Sequence, residues 1–123
     1  NIKLFCSGIS AGINADRRLV REMIDNLLQN AIRYNKENGT VKVHVTIENG
    51  HPMISVEDTG IGIPADQLDR VFERFYRVDK SRSRETGGTG LGLAIVKHIA
   101  ELHSAEIAIH SIVDEGTEIV VRF

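Results

Sequence analysis

Tryptophan is absent from this sequence, and cysteine occurs once, at Cys6. One cysteine closes no internal disulfide and makes no thiolate metal site, so a reducing compartment is the simpler setting. Cys6 is then expected as a small buried hydrophobe. No apolar run approaches the ~20 residues that a membrane-spanning helix needs, and the chain does not open with the charged-then-apolar pattern of a secretory signal. Neither sign of charge dominates: the formal net charge is -2, which gives no overall drive toward nucleic acid or an anionic membrane. No internal repeat is present. The 123 residues suffice for one core, and a single domain over 1–123 is expected. The chain begins at Asn1 rather than at a methionine, as a piece of a longer protein would.

What is present is strong periodicity. Residues 1–14 alternate loosely, as one or two short strands would. Asp16 reads as an N-cap, and Leu19, Val20, Met23, Ile24, Leu27, Leu28 and Ala31 recur at helical steps. They predict a long helix ending near Tyr34. Asn38-Gly39 marks a turn, and Val41, Val43, Val45 and Ile47 alternate with polar residues as a half-buried strand should. Asn49-Gly50 is a hairpin signal, and the next strand runs about Met53 to Glu57. Pro64 precedes a short helix with Leu68, Val71 and Phe72 on one face. Residues 79–89 have no hydrophobic period and read as a loop. A second helix is expected over about Leu91 to Leu102 on Leu91, Ile95, Ile99 and Leu102. Strands at about Glu106 to Ser111 and Glu118 to Phe123 close the chain around a turn at Asp114-Glu115-Gly116. Helices and strands do not alternate strictly, which favours a two-layer α/β sandwich over a doubly wound parallel sheet.

Four groups of residues carry possible chemistry. Asn26, Asn30, Arg33 and Tyr34 fall on adjacent rows of one helix face; amide oxygens there could ligate a hard cation and Arg33 could answer a phosphate, or the face could be a solvated flank. Asp58-Thr59-Gly60-Ile61-Gly62 puts a carboxylate at a strand end before a sharp turn, where it can accept from an exocyclic amine. The relaxed dinucleotide fingerprint Gly60-x-Gly62-x-x-Ala65 competes for these residues, but Pro64 sets the helix start beyond the glycines rather than among them. Gly87-Gly88-Thr89-Gly90-Leu91-Gly92-Leu93 runs into a helix and offers backbone N–H groups to an anion; without Gly-Lys-Ser/Thr it is no P-loop. Arg70, Arg74, Arg77, Lys80, Arg82 and Arg84 lie beside Phe72, Phe75 and Tyr76. These residues suit nucleic acid, a solvated face, or a lid that brings cations to a triphosphate.

Taken together, these segments resemble the Bergerat ATP-binding fold, and within it the sensor histidine kinases. Asn26 to Tyr34 resembles the asparagine box, Asp58 to Gly62 the first glycine box, Val71 to Arg77 the phenylalanine box, Gly88 to Leu93 the second glycine box and Gly116-Thr117 the last glycine motif. The resemblance covers nearly the whole chain, in the family's order. It implies a mixed, mainly antiparallel sheet packed on about three helices. It also implies ATP and Mg²⁺ as ligands, with Asn30 holding the metal and Asn26 near the phosphates. Tyr34 and Asp58 would face the adenine, with Gly60, Gly62 and Ile63 passing close to it. Arg33, Phe75, Arg77 and a lid of about 77–89 would face the triphosphate, and Gly88, Thr89, Gly90, Leu91 and Gly92 would cradle it; Asn30 and Arg77 would act in catalysis. Two positions depart from the family: Arg33 stands where lysine is common, and Ser104-Ala105 follows His103 where a Gly-Gly pair is usual.

The hydrolytic members of that superfamily carry a glutamate one turn before the metal asparagine. Here the residue is Asn26, and an amide cannot take a proton from water, so efficient hydrolysis is not expected. Phosphoryl transfer to a nucleophile brought from elsewhere is expected instead. His44, His51, His98, His103 and His110 all lie outside the His-Glu/Asp-x-x-x-Pro context of a phosphoacceptor, so the histidine-bearing dimerisation domain is expected to be a separate part. The resemblance then implies that domain and a response regulator receiver as partners, no nucleic acid, and a monomeric fragment. It implies a cytoplasmic location, with a parent anchored in the bacterial inner membrane. A regulatory ATP-binding module or a serine kinase of the anti-sigma-factor type would carry nearly the same motifs.

Overall fold

A computed structural model describes residues 1–77 and 91–123. The elements are β1 (Lys3–Gly8), α1 (Arg17–Arg33), β2 (Thr40–Glu48), β3 (His51–Asp58), a 3-10 helix (Ala65–Arg70), α2 (Gly92–Leu102), β4 (Glu106–Ile112) and β5 (Gly116–Arg122). The five strands form one sheet in the order β1-β2-β3-β5-β4. β1 runs parallel to β2, and every other neighbouring pair is antiparallel. Both α-helices contribute to the core against one face of the sheet, giving the two-layer sandwich expected.

Helix α1 starts where the sequence says it should. The Asp16 carboxylate accepts from the N–H groups of Arg18 (2.9 Å) and Leu19 (3.3 Å), which satisfies two of the helix's unpaired donors. Its apolar stripe buries Met23, Leu27 and Ala31, and Tyr34 caps its end. These meet Val96, Ile99 and Ala100 of α2 and Val41, Ile54, Val56, Ile119 and Val121 of the sheet. The β2–β3 hairpin turns through Asn49 (φ 51°) and Gly50 (φ 79°), the pair of positive φ values that a type I′ turn demands.

The structure corrects several expectations. The N-terminal segment forms a single strand, within what was expected, but Cys6 is exposed rather than buried. β1 is an edge strand, and all six of its residues are exposed. α2 buries Val96, Ile99 and Ala100, while Leu102 is 58% exposed and Leu91 precedes the helix. Its polar residues, Lys97, His98 and Glu101, gather on the exposed side, and Leu102 beside them shares that side. Of the short-helix residues only Val71 is buried, and the segment is a 3-10 helix rather than an α-helix.

Candidate nucleotide site

A cavity of about 100 Å³ opens between the C-terminal half of α1, the loop after β3, the segment after the 3-10 helix and the start of α2. Asn26, Asn30, Arg33 and Tyr34 all line it, as their helical spacing predicted. The Asn26 Nδ2 donates to the Glu22 carbonyl (2.9 Å), which leaves its oxygen free to face the start of α2. Gly92 approaches that oxygen closely: a Cβ there would lie 3.3 Å from Asn26 Oδ1. A side chain at Gly92 would therefore press on the Asn26 amide and shift it by a few tenths of an ångström.

The loop after β3 is tied to the end of α1. Ile61 N–H donates to the Tyr34 carbonyl (3.1 Å). The Thr59 hydroxyl accepts from Thr40 N–H (2.9 Å) and donates to Asn35 Oδ1 (3.2 Å). Asn35, itself buried, donates to the Thr40 carbonyl (2.9 Å). This fixes Asp58 at the floor of the cavity, 7% exposed. Burial pushes its carboxyl up to about 6. The N–H groups of Gly60 and Thr117 pull it down in part, and neighbouring Glu57 pushes it up slightly. Gly60 N–H reaches Asp58 Oδ1 at 2.8 Å.

Gly62 lines the cavity at φ 72°, and a Cβ there would collide with the Ile112 backbone. Only glycine fits both the angle and the approach. Ile63 also lines the cavity, and its N–H donates to the Ser111 hydroxyl (2.7 Å). On the opposite wall stand Val71, Tyr76 and Arg77. The Tyr76 hydroxyl donates to Gln67 (2.6 Å), and the Arg70 guanidinium sits 4.5 Å from the centre of its ring, in cation–π range.

Three expected site residues fall outside the cavity wall. Gly60 packs against the Tyr34 carbonyl, so its lack of a side chain serves the join to α1. Phe75, at φ 65°, points outward and is 70% exposed. Leu91 is absent from the lining. Gly88, Thr89 and Gly90, with all of the expected lid but Arg77, lie outside the described residues. Gln29, Ile61, Val71, Tyr76, Leu93 and Thr117 also line the cavity; the sequence placed them within the family's motifs but gave none of them a role in the site. Thr117 is the register partner of Asp58 across β3 and β5, a relation visible only once the strands are paired.

The family model for histidine kinase-, DNA gyrase B- and HSP90-like ATPases matches residues 15–123. The chain belongs to this family. Among its relatives in the histidine kinase branch, sensor histidine kinase YkoH of Bacillus subtilis is 41% identical over 111 residues, 90% of this chain and 24% of YkoH. Sensor histidine kinase WalK of the same organism is 42% identical over 109 residues, 87% of this chain and 18% of WalK. The chain thus spans about a quarter or less of the curated relatives it matches. The mycobacterial sensor histidine kinase MprB superposes with a TM-score of 0.90 at 28% identity, covering 99% of this chain and 82% of that one. Full-length ShkA in complex with AMPPNP superposes with a TM-score of 0.81 at 29% identity, over 98% of this chain and 25% of that one. The chain is a catalytic, ATP-binding domain of the histidine kinase type.

Proposed function

We propose that this domain binds ATP with Mg²⁺ and passes the γ-phosphoryl group to a histidine on the dimerisation domain of its own kinase, from which a receiver domain's aspartate takes it. One observation carries the reading: a single cavity joins a buried carboxylate, Asp58, to a wall of amides and cations, Asn26, Asn30, Arg33 and Arg77. Asp58 suits an exocyclic amine, and the amides and cations suit a polyphosphate. The nucleotide analogue bound to ShkA supports the same use here.

The donor set fits a metal held mainly by its nucleotide. Among the described residues no three His, Cys, Asp or Glu side chains converge, and the Asn30 amide makes no hydrogen bond with a described residue. Asn30 would supply one oxygen and the phosphates and retained waters the rest, the usual economy of Mg²⁺ sites. When bound, the metal neutralises charge that builds on the phosphate oxygens. Arg33 and Arg77 add fixed positive charge, and Asn26 and Gly92 hold the mouth open. Asp58, at the base end, is the only carboxylate among the residues that line the cavity. Among the described residues, no general base thus lines the phosphate side of the cavity to activate water, which favours transfer to an incoming imidazole over hydrolysis. The bond from phosphorus to the ADP oxygen breaks as a nitrogen–phosphorus bond forms, and the imidazole proton leaves to a base outside this chain. Among the described residues no helix is long and apolar enough to cross a membrane. We place the domain in the cytoplasm, below a parent anchored in the inner membrane.

Calorimetry with ATP, with and without Mg²⁺, tests the binding step: the wild type should bind and Asp58→Ala should not. Labelled ATP mixed with this domain and a separately purified dimerisation domain should then give acid-labile phosphate on the latter. Equal ATP binding by Asp58→Ala would sink the reading of the base end. Label appearing only as free phosphate would sink the transfer.

A further inference from the structure

Three polar side chains form a row across consecutive strands. Ser111 of β4 is in register with Thr117 of β5, which is in register with Asp58 of β3. Asp58 and Thr117 line the cavity, whereas Ser111 stands behind them. The Ser111 hydroxyl has three neighbours: Ile63 N–H at 2.7 Å, the Gly116 carbonyl at 3.0 Å and the Thr117 hydroxyl at 2.8 Å. An amide N–H only donates and a carbonyl only accepts. One arrangement therefore satisfies all three contacts: Ser111 accepts from Ile63, donates to Gly116, and accepts from Thr117. The single Thr117 proton is then turned away from the cavity, and its oxygen offers only lone pairs there.

We propose that Ser111 is a specificity-setting positioning residue, which holds Thr117 as an acceptor beside Asp58 so that the base end takes an amino group and rejects a carbonyl at the same ring position. Two neighbouring acceptors need donors between them, and an exocyclic amine carries two N–H bonds. A carbonyl oxygen there would face two acceptors with no proton available, and unpaired buried polar groups are the strongest source of rejection a site can use. This inference rests on the ATP reading above.

The test compares ATP with inosine triphosphate, which carries a carbonyl in place of the amine, by calorimetry at pH 8 on the wild type, Ser111→Ala, Ser111→Thr and Thr117→Val. The wild type should prefer ATP. Ser111→Ala frees the Thr117 hydroxyl to rotate and donate, so the preference should fall about five- to tenfold. Ser111→Thr keeps the hydroxyl and should keep the preference. In a Thr117→Val background, Ser111→Ala should leave the ratio where Thr117→Val alone puts it. If Ser111→Ala does not fold, Ser111→Cys, a weaker partner of similar bulk, should lower the ratio in its place. A lowered Tm with an unchanged ratio would mean that Ser111 only supports the hairpin, and the proposal would be overturned while the ATP reading stood. A wild type that binds neither nucleotide would overturn both.

Discussion

An ionised Asp58 at the floor of the cavity costs the fold free energy. Its carboxyl is raised from 3.8 to about 6, chiefly by burial, so the folded state holds the proton more tightly than the unfolded chain does. The associated stability is present in full below about pH 4 and lost as pH rises through about 6. The loss is on the order of 3 kcal/mol at neutral pH. Asp58→Asn carries no such charge, so its stability relative to the wild type should improve by up to that amount between pH 4 and pH 7.5; denaturant melts at both pH values measure it. Nucleotide binding should run the other way. Protonation removes the charge that accepts the amine, so wild-type ATP affinity should fall below pH 6, by at most about tenfold per pH unit, and a flat profile would contradict Asp58 as the base acceptor. The position of this carboxylate was legible in the sequence because it ends a strand ahead of two glycines. Its pairing with Thr117 was not, since β5 lies far along the chain and meets β3 only in the folded sheet.

At the scale of elements, local signals succeeded where one residue type has one job. Asp16 caps α1, Asn49-Gly50 turns the hairpin, and the stripe through Met23, Leu27 and Ala31 faces the core. They failed where packing decides: Leu102, apolar and at a helical step from Ile99, lies on the exposed side of α2 at its C-terminal end, and the position of Cys6 depends on which strand is the edge. The turn after α2 is a third case. Ser104 takes φ 55°, a left-handed angle that a side chain disfavours, at the position where a glycine is usual in the family. Ser104→Gly should raise stability by about 0.5–1 kcal/mol without changing ATP affinity. A destabilised variant would mean that the Ser104 side chain contributes more than its backbone strain takes away. The same turn carries His103, which accepts from Asp16 N–H (3.1 Å) and bonds the Ile99 carbonyl (2.7 Å). The end of α2 is thereby tied to the start of α1, and the cavity lies at the other end of the helix pair.

The whole molecule should answer its ligand as one unit, because the cavity walls come from both layers of the sandwich. At ATP about 100-fold above its dissociation constant, linkage predicts about 2.7 kcal/mol of added stability, a rise in Tm on the order of 10 °C for a domain of this size. Mg²⁺ alone should give almost none of it, since Asn30 is the one protein ligand proposed for the metal. A large shift with Mg²⁺ alone, read by a thermal melt, would point to a metal site independent of the nucleotide. The sheet has an unequal grip on its own strands. β3 and β5 are bonded on both sides, whereas β1 is bonded on one side only and leaves Leu4 and Phe5 more than half exposed. Uncovering β1 releases little apolar surface from the core, so it should peel away well before the rest unfolds. In hydrogen exchange, the bonded amides of Lys3–Gly8 should lose protection at lower denaturant than those of Ile54 or Val121. The longest reach between neighbouring strands of this sheet runs from Asp58 at the end of β3 to Gly116 at the start of β5, longer than the crossover from Gly8 to Thr40 that joins β1 to β2, and contacts that close long loops form slowly. A refolding chain would then have its two hairpins in place before the seam between β3 and β5 closed, and since Asp58 and Thr117 meet only across that seam, the base end of the ATP site would be assembled last.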